Sequence, residues 1–76
     1  MSMAEQILTA LGGADNVVEI EPCITRLRCE VTDGTRVDER ALKAAGAHGV
    51  IASGNVVQVV VGPNADTIAD DIEDLM

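Results

Sequence analysis

Phenylalanine, tyrosine and tryptophan are all absent from these 76 residues. That removes aromatic stacking on nucleic-acid bases and leaves a core to be built from Val, Ile, Leu, Met and Ala. Positive charge is scarce as well: 5 Lys and Arg stand against 13 Asp and Glu, a formal charge of −8. A field of that sign repels phosphate backbones and argues against nucleic acid as a partner. No long hydrophobic run exists. The most apolar stretch, Val56 to Val61, contains Gln58 and falls far short of the roughly 20 residues of a membrane helix. The opening Met1-Ser2-Met3-Ala4-Glu5-Gln6 lacks the basic start and apolar body of an export signal, so a soluble, cytoplasmic protein is expected. Cys23 and Cys29 are the only cysteines, and in a reducing compartment both are free thiols. A chain this short allows one domain, residues 1–76, with an economical core.

What is present reads as seven elements. Ser2 and Glu5 form a capping box, and Met3, Ile7, Leu8 and Leu11 recur at helical spacing until Gly12-Gly13, predicting a helix over about 3 to 11. Val18 and Ile20 alternate with Glu19 and Glu21 in a first strand, which Pro22 ends just before Cys23. Leu27, Cys29 and Val31 alternate with Arg26, Arg28 and Glu30 in a second. Val37 and Asp38 staple and cap a helix near 39 to 45, with Gly46 as its left-handed terminus. Gly49 to Ala52 and Val56 to Val61 flank a Gly-containing connection and read as a hairpin. Asn64 caps a last helix whose Ile68, Ile72, Leu75 and Met76 share one face. The order α-β-β-α-β-β-α predicts an α+β two-layer sandwich, a four-stranded antiparallel sheet with three helices on one face.

Arg26 and Arg28 lie within five positions of Cys23 in an otherwise acidic chain. Residues two apart on a strand point the same way, so the two guanidinium forks converge and suit phosphate oxygens. Their charge favours thiolate at Cys23. The turn N–H groups of Ile24, Thr25 and Arg26 add donors for an anion, and Thr25 adds a hydroxyl. Such a cluster fits either a phosphocysteine or an oxidisable thiol, and spacing does not separate the two.

Cys23-Ile24-Thr25-Arg26-Leu27-Arg28, Leu42-Lys43-Ala44-Ala45-Gly46-Ala47-His48-Gly49-Val50 and Val57-Gln58-Val59-Val60-Val61-Gly62 together resemble the EIIB domain of the phosphoenolpyruvate-dependent sugar phosphotransferase system, glucose/N-acetylglucosamine family. The resemblance selects the phosphocysteine. It implies that Cys23 accepts a phosphoryl group from a phosphohistidine of EIIA. Cys23 then passes it to a sugar held by the membrane transporter EIIC, with Arg26 and Arg28 balancing phosphoryl charge. Glu21 falls where the family is usually acidic, and Gln58 matches a family glutamine able to donate a hydrogen bond near the site. Pro22 departs from the small residue common there and would stiffen the approach to Cys23. No cofactor and no metal are implied. The resemblance further implies peripheral association with the membrane through EIIC, and since no sequence feature demands a homo-oligomer a monomer is expected. It points to N-acetylglucosamine ahead of glucose, although specificity would reside in EIIC. Ending at residue 76, the chain would be either a separate EIIB polypeptide or an excised domain of a larger permease.

Simpler readings stand beside these. Cys23 could be an inert buried thiol, and the arginines could pair across the ladder with Glu19, Glu21 or Glu30. Cys29 shares parity with the core and is read as structural. His48 is placed in a loop without a metal set. Asp66, Asp70, Asp71, Glu73 and Asp74 read as a solvated helix face. A redox-sensing thiol domain would need a resolving cysteine within reach of Cys23, and Cys29 faces away. A non-catalytic regulatory module would not need Cys23 at all.

Overall fold

The computed structural model describes residues 2–76. Helix α1 (Met3–Ala10) leads into β1 (Val17–Cys23) and β2 (Arg26–Val31). Helix α2 (Glu39–Ala44), β3 (Gly49–Ser53), β4 (Val56–Val60) and α3 (Ala65–Leu75) complete the chain, with single 3₁₀ turns at Ala14–Asn16 and Gly34–Arg36. The four strands form one antiparallel sheet in the order β1-β2-β4-β3. Two hairpins thus meet along β2 and β4. Helix α3 packs on β1 and β2, α2 on β3, and α1 lies against both other helices. This is the α+β sandwich with one helix-covered sheet face.

Local chemistry sets the boundaries. The Ser2 Oγ accepts from the Glu5 N–H at 3.2 Å and the Glu5 Oε1 from the Ser2 N–H at 3.3 Å, a complete capping box worth about 1 kcal/mol. Asp38 caps α2 by accepting from the Ala41 N–H at 3.1 Å. That helix closes with Gly46 N–H on the Lys43 carbonyl and Ala47 N–H on that of Leu42, the paired bonds of a Schellman end. Beneath the helices lie Leu27, Cys29 and Val31 of β2 and Val57 and Val59 of β4. They are sealed by Ile7, Leu11, Leu42 and Ile72.

Four details differ from the sequence reading. Val17 pairs with Val31 but Glu19 with Glu30, so Val18 is the extra residue of a bulge and is 57 % exposed while Ile20 stays buried. A bulge shifts parity by one, which is why Val17 packs inward and Val18 does not. Pro22 does not end β1; it pairs with Leu27, because an edge strand can turn a residue without an N–H to its free side. Asn64 precedes α3 at φ −94° and ψ 17° and its side chain makes no cap, since that backbone is not the extended one that carries an N-cap side chain over the first turn. On α3, Ala65 and Ala69 join Ile68 and Ile72 inside, while Leu75 and Met76 are exposed; the last turn projects beyond the core.

One buried polar group joins the layers. Asn16 is fully buried and its Nδ2 donates to the carbonyls of Leu11 at 2.7 Å and Asp33 at 3.0 Å, while its Oδ1 accepts from the Asp33 N–H at 2.9 Å. Its own carbonyl accepts from the Thr32 N–H. The end of α1 is thereby fixed to the chain leaving β2.

Candidate functional site

Cys23 ends β1 and faces Arg26, the first residue of β2, across a two-residue turn of Ile24 and Thr25. Opposed residues of such a pair have Cβ atoms about 5 Å apart, and diagonal neighbours roughly 7–8 Å. Arg28, two residues on, is that diagonal neighbour. The ladder continues the pattern: Glu21 opposes Arg28, Arg28 opposes Gln58, and Arg26 opposes Val60. Cys23, Glu21, Arg26, Arg28 and Gln58 therefore occupy the sheet face away from the helices, and Leu27 and Cys29 the face beneath them.

The two arginines are held differently. Arg26 Nη1 donates to the Gln58 Oε1 at 2.8 Å, so the glutamine oxygen serves as an acceptor for the arginine. Among the described residues the Arg28 side chain makes no hydrogen bond or ion pair, although Glu21 stands directly across from it. The ladder pairing of arginine with glutamate is not formed, and the Arg28 fork is free to meet an anion.

The turn is unusual. Ile24 has φ of +56° and is 88 % exposed, a conformation that costs a β-branched residue on the order of 1–3 kcal/mol. The Thr25 carbonyl accepts from both the Val61 and Gly62 N–H groups at 2.9 Å. Among the described residues the Ile24 and Thr25 N–H groups donate to no backbone acceptor, while Arg26 enters the ladder opposite Cys23. Two unpaired turn amides thus lie between the cysteine and the first arginine. Neither the strain at Ile24 nor the tie from Thr25 to the end of β4 was read from sequence. The one signal available was Gly62-Pro63 immediately after an apolar strand.

Cys29 is inside the core, and burial pushes its thiol up to about 12. Iodoacetamide at neutral pH is expected to alkylate Cys23 alone in the folded protein and both thiols in denaturant. Rapid native modification of Cys29, followed by peptide mapping, would contradict that placement. His48 is exposed, and its N–H donates to the Val60 carbonyl at 2.8 Å. It precedes Gly49, three strands across the row from Cys23, roughly 14 Å away at ordinary strand spacing. No cluster of three or more His, Cys, Asp or Glu placed to hold a metal occurs among the described residues. Among the described residues no helix is long and apolar enough to cross a membrane. The site is an open surface without a cavity among the described residues.

Residues 5–38 match the family model described as phosphotransferase system, EIIB. The chain is 61 % identical over 75 residues to the PTS system N-acetylglucosamine-specific EIIB component of Streptomyces coelicolor, covering 99 % of this chain and 97 % of that one. Its fold resembles the crystal structure of one domain of the PTS system, IIabc component from Clostridium difficile, with a TM-score of 0.81, 23 % identity and coverage of 97 % of this chain and 78 % of that one. At that identity the structural likeness speaks for the fold alone.

Proposed function

Because this chain belongs to the EIIB family of the phosphotransferase system, we propose that its 76 residues act as one carrier domain. In it Cys23 takes a phosphoryl group from EIIA and gives it to N-acetylglucosamine held by EIIC. The observation that carries this reading is the arrangement around Cys23: an exposed thiol, a free Arg28, an Arg26 anchored by Gln58, and two unpaired turn amides on one open sheet face.

In the first step the Cys23 sulfur attacks phosphorus in line. A P–S bond forms as the P–N bond to the EIIA histidine breaks, and the thiol proton ends on the departing imidazole. In the second, the sugar hydroxyl oxygen attacks, a P–O bond replaces the P–S bond, and the hydroxyl proton balances the thiolate released as Cys23. Such transfers depend on placement and on stabilising charge at the equatorial oxygens. Arg28, the Ile24 and Thr25 amides and the Thr25 hydroxyl supply that charge, with Arg26 held beside them. Glu21, opposite Arg28, repels surplus anionic charge. The protein works in the cytoplasm as a monomer, meets the membrane through EIIC, and uses no cofactor. Cys29 lies buried on the opposite sheet face, which disfavours a resolving-thiol role.

The test supplies phosphorylated EIIA and EIIC membranes with N-acetylglucosamine or glucose. N-acetylglucosamine phosphate is the expected product; glucose phosphate alone would overturn the sugar, and no sugar phosphate would overturn the carrier role. In the same assay Arg26→Lys and Arg28→Lys are expected to slow transfer to sugar by at least about tenfold, since Lys cannot reproduce a bidentate fork. Acceptance from EIIA, which brings its own stabilising groups, should fall less. Equal loss in both half-reactions would contradict this division.

A further inference from the structure

The last strand ends in a feature the carrier chemistry leaves unexplained. Beyond Val60 the chain reaches Gly62 with φ of +91° and then Pro63. A residue with a side chain rarely adopts that φ, and one preceding proline is pushed towards extended conformations. The geometry brings the Val61 and Gly62 N–H groups to one acceptor, the Thr25 carbonyl, each at 2.9 Å. Thr25 belongs to the turn beside Cys23, and the turn holds Ile24 at a φ of +56° that an exposed isoleucine would not choose alone.

We propose that Gly62 is a positioning residue for phosphoryl transfer, resting on the carrier reading above. Its N–H, with that of Val61, clamps the Thr25 carbonyl and so keeps the strained turn in the form that presents the Ile24 and Thr25 N–H groups to the phosphoryl oxygens. A peptide plane has two ends: with the Thr25 carbonyl turned towards β4, the plane on the other side of Thr25 is left to rotate only with Ile24. Releasing the carbonyl lets Ile24 relax to negative φ, and the two amides lose their shared aim. The clamp lies remote in sequence from Cys23 and touches neither thiol nor phosphate.

Space does not forbid a side chain at position 62, since a Cβ there would come no closer than 3.7 Å to the His48 ring. Substitution therefore acts through φ. Gly13 provides a matched control: its φ is +92°, a Cβ there meets nothing within 4 Å, and it lies after α1 rather than at the turn. Gly62→Ala and Gly13→Ala both force a side chain to nearly the same positive φ, but only the first should disturb the turn.

Phosphoryl acceptance from phosphorylated EIIA is measured for wild type and both variants, together with the backbone coupling of Ile24 and the amide proton shifts of Ile24 and Thr25 on phosphorylation. Gly62→Ala is expected to slow acceptance at least tenfold, to move Ile24 out of positive φ and to lose the amide shifts. Gly13→Ala should stay within twofold of wild type with Ile24 unmoved. If Gly62→Ala folds poorly, a synthetic chain with an ester in place of the Gly62 N–H removes only the hydrogen bond and should give the same slowing. Equal behaviour of the two alanine variants, or an ester chain at the wild-type rate, overturns the clamp while leaving the carrier role standing. A wild type that never gains a phosphoryl group overturns both.

Discussion

Cys23→Ser is expected to abolish phosphoryl acceptance while leaving the fold untouched. Cys23 is exposed at the end of β1 and, among the described residues, its side chain makes no hydrogen bond, so a hydroxyl in its place disturbs nothing around it. The chemistry is another matter. An alcohol ionises far less readily than a thiol, so at neutral pH the reactive anion becomes scarcer by several orders of magnitude. A more basic anion is the better nucleophile, but a Brønsted slope of about 0.4–0.5 recovers only part of that loss. The net effect is a loss of several orders of magnitude in rate. Thermal unfolding should be unchanged within about a degree, because surface substitutions away from structural features stay within about 0.5 kcal/mol. A serine variant that carries phosphate at near the wild-type rate would mean that the acceptor is another residue.

The largest effect on stability is expected from Asn16→Leu. The replacement keeps a similar volume but removes three hydrogen bonds, leaving the Leu11 carbonyl and the Asp33 N–H without a partner, while the Asp33 carbonyl keeps the Arg36 N–H at 3.2 Å. Each buried polar group left unsatisfied costs on the order of 1–3 kcal/mol. The Asp33 N–H is nearer to water than the Leu11 carbonyl, so the sum should lie near the low end, about 2–3 kcal/mol. For a domain of this size that lowers the melting temperature by roughly 10 °C or more. Asn16→Asp should be no better, because an oxygen then faces the two carbonyls that Nδ2 now serves. Thermal and denaturant unfolding measure both variants; a loss below about 1 kcal/mol would show that the Asn16 bonds do not hold α1 to the end of β2. Phosphoryl acceptance measured well below the melting point should be preserved, since Asn16 has no contact with the turn at Cys23.

How far these features could be read beforehand depends on whether they are local. The capping box of Ser2 and Glu5, the Asp38 cap and the strict alternation in β2 are written in neighbouring residues, so the helices, the hairpins and the common face of Arg26 and Arg28 follow from spacing. Cys23 joins that face by the parity of a two-residue turn. What escaped depends on contacts between distant segments. The bulge at Val18 is a matter of register against β2 and reverses the parity that Val18 and Ile20 display in sequence. Asn16 reads as an ordinary turn residue until its side chain is seen to bridge Leu11 and Asp33. Gln58 is legible as a neighbour of the site, yet only the sheet order reveals that it accepts from Arg26. The tie from Thr25 to Val61 and Gly62 joins the first hairpin to the end of the second, and no periodicity announces it.

The central claim is that Cys23 carries the phosphoryl group. Incubating the protein with phosphoenolpyruvate and the upstream phosphotransfer proteins, followed by mass spectrometry of the intact chain and its peptides, tests it most directly. One phosphoryl group on Cys23, absent from Cys23→Ser, is the result expected. No adduct on the wild type, or the same adduct on Cys23→Ser, would contradict it.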